Sequence, residues 1–122
     1  MNYNIEIIND SDFMHLCVTG IYDNNNALLM LKEIIQIFKT KLDFKYYIDM
    51  SALEVTSTIG SNFFQANFTG NELIGLPHKI AVLGNIEYKD SFDFFGLVAR
   101  NAGVNVFYFY TKDEAMNWLL EE

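Results

Sequence analysis

Strand-like and helix-like segments alternate along almost the whole chain, and this alternation limits the fold more than any other feature of the sequence. Runs rich in β-branched and aromatic residues, the pattern of strands, occupy residues 3–8, 13–19, 44–50, 79–83 and 104–110. Segments with apolar residues at helical spacing occupy residues 27–41, 57–70, 90–102 and 111–119. The order β-β-α-β-α-β-α-β-α predicts an α/β fold with a mixed five-stranded sheet, in which an N-terminal hairpin precedes the β-α units.

Patterns within these segments predict which side chains face the core and where the elements end. The apolar faces predicted for the first and second helices comprise Leu28, Leu31, Ile35 and Phe38, and Ile59, Phe63 and Ala66. Asp90 and Ser91 are predicted to cap the third helix, and Thr111 with Glu114 forms a capping box for the fourth. Turns are predicted at residues 9–12 and 75–77.

Composition and charge restrict the class of protein. The chain has 122 residues, 51% of them hydrophobic, and is predicted to bury one core as a single domain over residues 1–122. Its net charge of −8 disfavours nucleic acid and anionic membrane surfaces as partners, because both are negatively charged. The first residues lack a signal-peptide pattern, and the longest apolar runs fall far below the ~18 residues of a membrane helix. With the single cysteine Cys17 excluding an internal disulfide, we expect a cytoplasmic protein that does not span a membrane.

Three polar residues follow the predicted third strand at the edge of the sheet. Asp49 ends the strand, at the carboxyl edge where open α/β folds place ligands, and Ser51 and Thr56 come after it. These three residues are therefore candidates for a binding edge. The alternative is that the Asp49 carboxylate only stabilises the turn that follows the strand.

The sequence predicts no catalytic site, no metal site and no cofactor. His15 and His78 are far apart and do not have the spacing of metal ligands. Cys17 lies two residues from His15 on one strand, so the two share a face without approaching closely enough to form a thiol–imidazole nucleophile. No set of base, nucleophile and orienting group can be assembled from the remaining residues.

Aromatic residues make up 16% of the chain, and both faces of the predicted last strand are apolar or aromatic. The simplest interpretation is a well-filled core in which tyrosine hydroxyls reach water. Two other interpretations are a homodimer surface and a groove for a lipid or another apolar ligand.

Three local signatures, together with the element order and the length, resemble the STAS family, and in particular its SpoIIAA-like branch of small stand-alone bacterial proteins. They are Tyr47-Ile48-Asp49-Met50-Ser51, Lys79-Ile80-Ala81-Val82-Leu83-Gly84, and Arg100-Asn101-Ala102-Gly103 leading into Val106-Phe107 and residues 113–119. The resemblance runs from about Ile5 to Leu120. It implies a sheet whose helices wind as a β-α superhelix, and it implies a role in binding, because members of the family act as switches for anti-sigma-factor kinases, as modules of signalling complexes or as accessory domains of transporters.

The resemblance also implies a control site at the start of the second helix. Members of the family carry a phosphorylated Ser or Thr in an Asp-Ser-Ser-Gly-like turn, and the matching stretch here is Thr56-Ser57-Thr58-Ile59-Gly60. Thr56 replaces the acidic residue, Ile59 replaces the glycine, and Thr58 falls at the phosphoacceptor position. A phosphate on Ser57 or Thr58 would meet free N–H groups at a helix N-terminus. The alternative is that both residues only cap the helix.

Taken together, these observations predict a non-catalytic cytoplasmic module that binds a regulatory protein partner and is controlled by phosphorylation near Thr58. The alternative function is that of a binder or carrier of a hydrophobic small molecule or lipid, as in related folds that hold lipids.

Overall fold

The computed structural model describes residues 2–9, 12–40, 45–73 and 78–121. The strands of these residues are β1 (Tyr3–Asn9), β2 (Met14–Tyr22), β3 (Lys45–Asp49), β4 (Leu53–Val55), β5 (Lys79–Leu83) and β6 (Val106–Phe109). The α-helices are α1 (Ala27–Thr40), α2 (Ile59–Leu73), α3 (Lys89–Asn101) and α4 (Lys112–Leu119). Most of the turn predicted at residues 9–12, the predicted strand start at Phe44 and the predicted break at residues 75–77 lie outside the described residues.

The strands form one mixed sheet, as the sequence predicts. Its order is β1-β2-β3-β5-β6, with β1 antiparallel to β2 and the later neighbours parallel. A sixth strand, β4, pairs in parallel with the C-terminal part of β2. The sequence does not predict β4, because its three residues are too few to show a period of two.

The helices cover the two faces of the sheet unequally. Because successive side chains of a strand point to opposite faces, Tyr46 and Tyr47 of β3 enter different cores. Helices α1, α2 and α3 pack on the face that carries Tyr46, which we call the three-helix face. On the opposite face Ala115 and Leu119 of α4 pack against Tyr47 and Ala81. The main core also includes Met30 and Ile34 of α1, alongside the predicted residues Leu31, Ile35 and Phe38.

Helix α2 is oriented differently from the prediction. Ala66 is buried as predicted, but Ile59 and Phe63 face outward. The residues of α2 that face inward are Asn62, Gln65, Ala66, Thr69, Gly70 and Leu73. The small residues explain the orientation: a Cβ on Gly70 would lie 2.2 Å from the Cβ of Ala102, so α3 approaches α2 too closely for a bulky side chain. The helix also continues to Leu73 rather than stopping at Gly70.

The caps of the later helices are confirmed in part. Thr111 caps α4, where its side chain accepts a hydrogen bond from the backbone N–H of Glu114. The prediction that Asp90 and Ser91 cap α3 is wrong, because α3 begins at Lys89. A 3₁₀ turn (Ile86–Tyr88) precedes α3 and is capped by Asn85, whose side chain accepts from the backbone N–H of Glu87.

The buried His78 leads to a prediction about pH. Its ring packs against Phe38 and Tyr46, with ring centroids 5.4 and 5.3 Å away, and burial lowers its pKa from the ordinary value of about 6.5. Below that pH the unfolded chain gains a proton that the folded chain does not, so stability falls as the pH decreases below about 6.5. The free energy of unfolding, measured with urea at several values between about pH 7 and about pH 5, should fall less steeply with decreasing pH for His78→Phe than for the wild type. Equal slopes would contradict this account of His78.

Candidate functional site

Asp49 and Ser51 form a closed turn at the end of β3. The Asp49 Oδ1 accepts hydrogen bonds from the backbone N–H of Ser51 at 2.9 Å and from its hydroxyl at 2.6 Å. The Ser51 carbonyl in turn accepts from Nδ2 of Asn85, at 3.1 Å. These bonds tie the turn after β3 to the turn after β5. Asp49 therefore has the turn-stabilising role that the sequence analysis gave as the alternative to ligand binding.

Thr56 and Thr58 anchor the start of α2. The backbone N–H of Thr56 donates to the Tyr22 carbonyl at 2.9 Å, which extends the pairing of β4 with β2. The Thr58 Oγ1 accepts from the backbone N–H of Ser61 at 3.3 Å, as an N-cap does. The backbone N–H of Thr58 donates to Oδ1 of Asn24, at 3.0 Å. The side chains of Thr56 and Thr58 are both exposed.

Ser57 is held differently from Thr58. Its hydroxyl donates to the Asn62 Oδ1 at 2.6 Å, and Asn62 is only 2% exposed. The Ser57 hydroxyl is therefore engaged beneath the first turn of α2, whereas the side chain of Thr58 is open to solvent. Of the two predicted phosphoacceptors, Thr58 is the accessible one. Within the described residues no hydrogen bond joins this group to the turn of Asp49 and Ser51.

An apolar surface begins directly after Thr58. Ile59 is 71% exposed, Phe63 53% and Phe64 60%, all on the first half of α2. We call these three side chains the α2 face. No charged residue occurs from Val55 to Asn71, although the chain carries a net charge of −8. The α2 face is therefore an uncharged, aromatic patch on an acidic protein.

The opposite side of α2 is polar and partly unsatisfied. Gln65 is 5% exposed, and its Oε1 is buried without a hydrogen-bond partner. Thr69 satisfies its hydroxyl by donating to the Gln65 carbonyl at 2.9 Å. The large apolar residues of α2 predict the opposite orientation, because their helical spacing is the more conspicuous pattern. The signal that was present is the spacing of small and polar residues, which recur at 62, 65, 66, 69 and 70.

Two cavities lie between the three-helix face and its helices. One has a volume of about 30 Å³ and is lined by Tyr22, Asn62 and Phe92, among others. The other has a volume of about 40 Å³ and is lined by apolar residues beneath α2 and α3, except for Thr69 and Tyr108. Sites for small molecules usually enclose roughly 300–1,000 Å³. Neither cavity therefore has room for a lipid chain.

The two histidines occupy opposite sides of the sheet. His15 packs against Tyr47, with ring centroids 4.9 Å apart, on the face that carries α4. His78 packs against Tyr46 on the three-helix face. Among residues 2–9, 12–40, 45–73 and 78–121, no group of three or more His, Cys, Asp or Glu side chains is arranged to hold a metal ion.

Cys17 lies between two carboxylates on adjacent strands. It stands opposite Glu6 of β1 and opposite Asp49 of β3 in the register of the sheet. Burial raises the pKa of the Cys17 thiol, and the charges of Asp49 and Glu6 raise it further. The reactive form of cysteine is the thiolate, so this environment makes Cys17 a poor nucleophile.

The environment of Cys17 predicts slow alkylation by iodoacetamide at about pH 8. The double substitution Glu6→Gln and Asp49→Asn removes both charges and keeps the Asp49 oxygen that holds the turn. We expect it to accelerate alkylation severalfold, with a mass-spectrometric time course as the measurement. An unchanged rate, with unchanged thermal stability, would show that the carboxylates do not control this thiol.

No protein-family model and no curated protein sequence matches this chain. Solved structures do resemble it. A crystal structure of an anti-sigma factor antagonist from Mycobacterium paratuberculosis superposes with a TM-score of 0.66 at 17% identity, covering 96% of this chain and 93% of its own. An uncharacterised DUF3478-family protein from Shewanella loihica, described as having a SpoIIAA-like fold, gives 0.57 at 15% identity, covering 97% and 94%.

A third structure is the anti-sigma factor antagonist SpoIIAA in its unphosphorylated form, with a TM-score of 0.55 at 12% identity, covering 98% of this chain and 99% of its own. All three similarities extend over nearly the full length of both chains, and their low identity makes them evidence of fold. The mixed sheet, the order of the elements and these superpositions agree with the resemblance found in the sequence. The chain has a SpoIIAA-like fold.

Proposed function

We propose that this protein is a non-catalytic regulatory module that binds another protein through the α2 face. The observation that carries the proposal is the exposure of Ile59, Phe63 and Phe64 on consecutive turns of one helix. Large apolar side chains grouped on a surface mark sites of protein association, and aromatic residues contribute most to such interfaces. Helix α2 meanwhile turns Asn62 and Gln65 inward. In this orientation the apolar side chains of the α2 face are not buried within the chain, so a partner can bury them instead.

The structural neighbours support the same class of function. Two of the solved structures with this fold are anti-sigma factor antagonists. We infer by analogy that the partner here is a regulatory protein of the anti-sigma-factor type. The turn-bound Asp49, the shielded Cys17 and the separated histidines support a protein that acts by binding rather than by catalysis.

Two further properties belong to this proposal. Residues 1–122 act as one domain, and the protein works in a reducing cytoplasm, where an unpaired cysteine is stable.

Among the described residues, no helix has both the length and the apolar character needed to cross a membrane. The two cavities of about 30 and about 40 Å³ beneath the helices are too small for a lipid, so they do not support a carrier that holds its ligand in the core.

Phosphorylation of Thr58 is proposed as the control of docking. Its side chain is exposed at the N-terminus of α2, directly beside Ile59. A phosphate there would be stabilised by the positive end of the helix dipole, so the fold would tolerate it. It would also place about −1.5 to −2 charges next to the uncharged α2 face. An apolar partner surface would then have to desolvate that charge, which weakens binding.

The test uses an isosteric pair of substitutions at Thr58. Thr58→Asp and Thr58→Asn both keep an oxygen that caps α2, and only the first adds a charge. Wild type and both variants are used as bait in the native cytoplasm, and the protein that wild type captures is titrated against each. We expect Thr58→Asn to retain the partner and Thr58→Asp to lose it. Equal affinities for both variants would refute control by charge at Thr58.

A further inference from the structure

We propose that the outer edge of β1 pairs with β1 of a second copy of this chain, which joins two sheets into one. Strand β1 is the first strand of the sheet and pairs with β2 on one side. Within the described residues no strand pairs with its other side. Proteins usually protect such an edge with lysine, proline or a bulge. Residues Tyr3–Asn9 (YNIEIIN) contain neither lysine nor proline and carry one charge, that of Glu6, and their register with β2 is continuous.

Two hydrogen bonds show which backbone groups of β1 face outward. The Ile21 N–H donates to the carbonyl of Asn2, which stands opposite it in the β1–β2 register, so Asn2 and every second residue after it bond to β2. The Tyr22 carbonyl accepts from the Thr56 N–H on the far side of β2. Ile21 therefore bonds toward β1 and Tyr22 bonds away from it, as the alternation along a strand requires. The outward-facing N–H and C=O groups therefore belong to Tyr3, Ile5 and Ile7.

The sequence of β1 is complementary to itself in one antiparallel register. When Ile5 lies opposite Ile5 of the second copy, Tyr3 lies opposite Ile7, and all three outward-facing residues form hydrogen-bonded pairs. Their side chains make a ladder of aromatic and β-branched residues on the three-helix face. On the other face Glu6 lies opposite Asn4, so like charges do not meet. A shift of the register by two residues in one direction would place Glu6 opposite Glu6, and in the other direction it would place Ile7 opposite residue 1, beyond the end of β1.

The space beside β1 fits this arrangement. An open groove of about 430 Å³ separates β1 from α1 and is lined by Tyr3, Ile5, Ile7 and Ile37, among others. Tyr3 is fixed in place, since its hydroxyl donates to Oε2 of Glu33 at 2.7 Å. A second copy offers a strand that is already formed, so pairing costs less ordering entropy than the capture of a flexible peptide. Both copies carry a net charge of −8, so association should strengthen as salt screens their repulsion.

The first test is the oligomeric state of the full chain. Light scattering after size exclusion should show a dimer. The dimer fraction should increase with protein concentration, from about 1 µM to about 1 mM, and with salt concentration, from about 0.15 to about 0.5 M. Ile7→Pro removes an outward N–H and leaves the β1–β2 bonds intact, so the dimer should weaken about 30-fold, whereas Ile7→Val should not change it. A protein that stays monomeric throughout, whether or not it captures an added peptide, overturns the proposal.

The second test reads the register directly and does not depend on Ile7→Pro being well folded. In a Cys17→Ser background, Asn4→Cys and Glu6→Cys place single thiols at exposed positions of β1. The proposed register brings residue 4 of one copy opposite residue 6 of the other, at a Cα separation of about 4.5 Å. Mild oxidation of a mixture should give the mixed disulfide dimer. Crosslinking of either variant with itself alone, or no crosslinking, overturns this register.

Discussion

Replacement of Gly20 with alanine is expected to lower the free energy of unfolding by about 3 kcal/mol or more. Gly20 has a φ of 109°, which is strained for any residue with a Cβ. A Cβ built there would lie 2.2 Å from the carbonyl oxygen of Asn2 and 2.6 Å from the Cα of Tyr3. Both are backbone atoms of the paired segment, so the clash can be relieved only by opening the β1–β2 pairing.

Gly60→Ala is the matched control for this substitution. Gly60 lies in the first turn of α2, and a Cβ built there would meet no atom within 4 Å. Alanine is favoured over glycine in a helix, so Gly60→Ala should stabilise the protein by up to about 1 kcal/mol. Urea unfolding of the two variants is the measurement. Similar effects of the same sign would contradict the backbone geometry described here for Gly20.

The second large effect concerns binding rather than stability. The double substitution Phe63→Ser and Phe64→Ser removes two of the three side chains of the α2 face, and we expect it to weaken partner binding by about 30-fold or more. Both side chains are more than half exposed, so the free energy of unfolding should change by less than about 1 kcal/mol. Calorimetric titration against the captured partner, with urea unfolding alongside, separates these two quantities.

Leu120→Ser is the control for the α2 face. Leu120 is 42% exposed and follows α4, which packs on the opposite face of the sheet. Its replacement removes an exposed apolar side chain of similar character, and partner affinity should stay unchanged. If Leu120→Ser and the double phenylalanine variant weaken binding equally, the partner does not recognise α2 in particular.

Most of the fold can be predicted from the sequence because the strands obey simple rules. Residues 80–83, which follow Lys79, are apolar throughout, as expected for a strand covered on both faces, and the structure places β5 between β3 and β6. The capping of α4 by Thr111 follows from local chemistry in the same way. Helix α2 was predicted wrongly because helical spacing alone does not reveal which of two faces turns inward. That choice depends on the approach of α3 at Gly70, a contact between residues distant in sequence.

In the candidate site too, contacts between sequence neighbours could be predicted and contacts between distant residues could not. The cap at Thr58 and the turn of Asp49 with Ser51 involve neighbours in sequence, and both appear among the readings that the sequence allowed. The hydrogen bond from Nδ2 of Asn85 to the Ser51 carbonyl joins residues 34 positions apart, and it could not be anticipated without the order of the strands in the sheet. The α2 face could not be anticipated either, because helical spacing predicted an inward position for Ile59 and Phe63 and gave no position for Phe64.

The central claim is that the first half of α2 is the surface that another protein covers. Hydrogen–deuterium exchange of the complex with the captured partner, compared with the protein alone, tests it most directly. We predict that exchange slows chiefly in residues 57–66 and that Thr58→Asp abolishes this protection. Slowed exchange confined to other segments, with residues 57–66 unchanged, would contradict the claim.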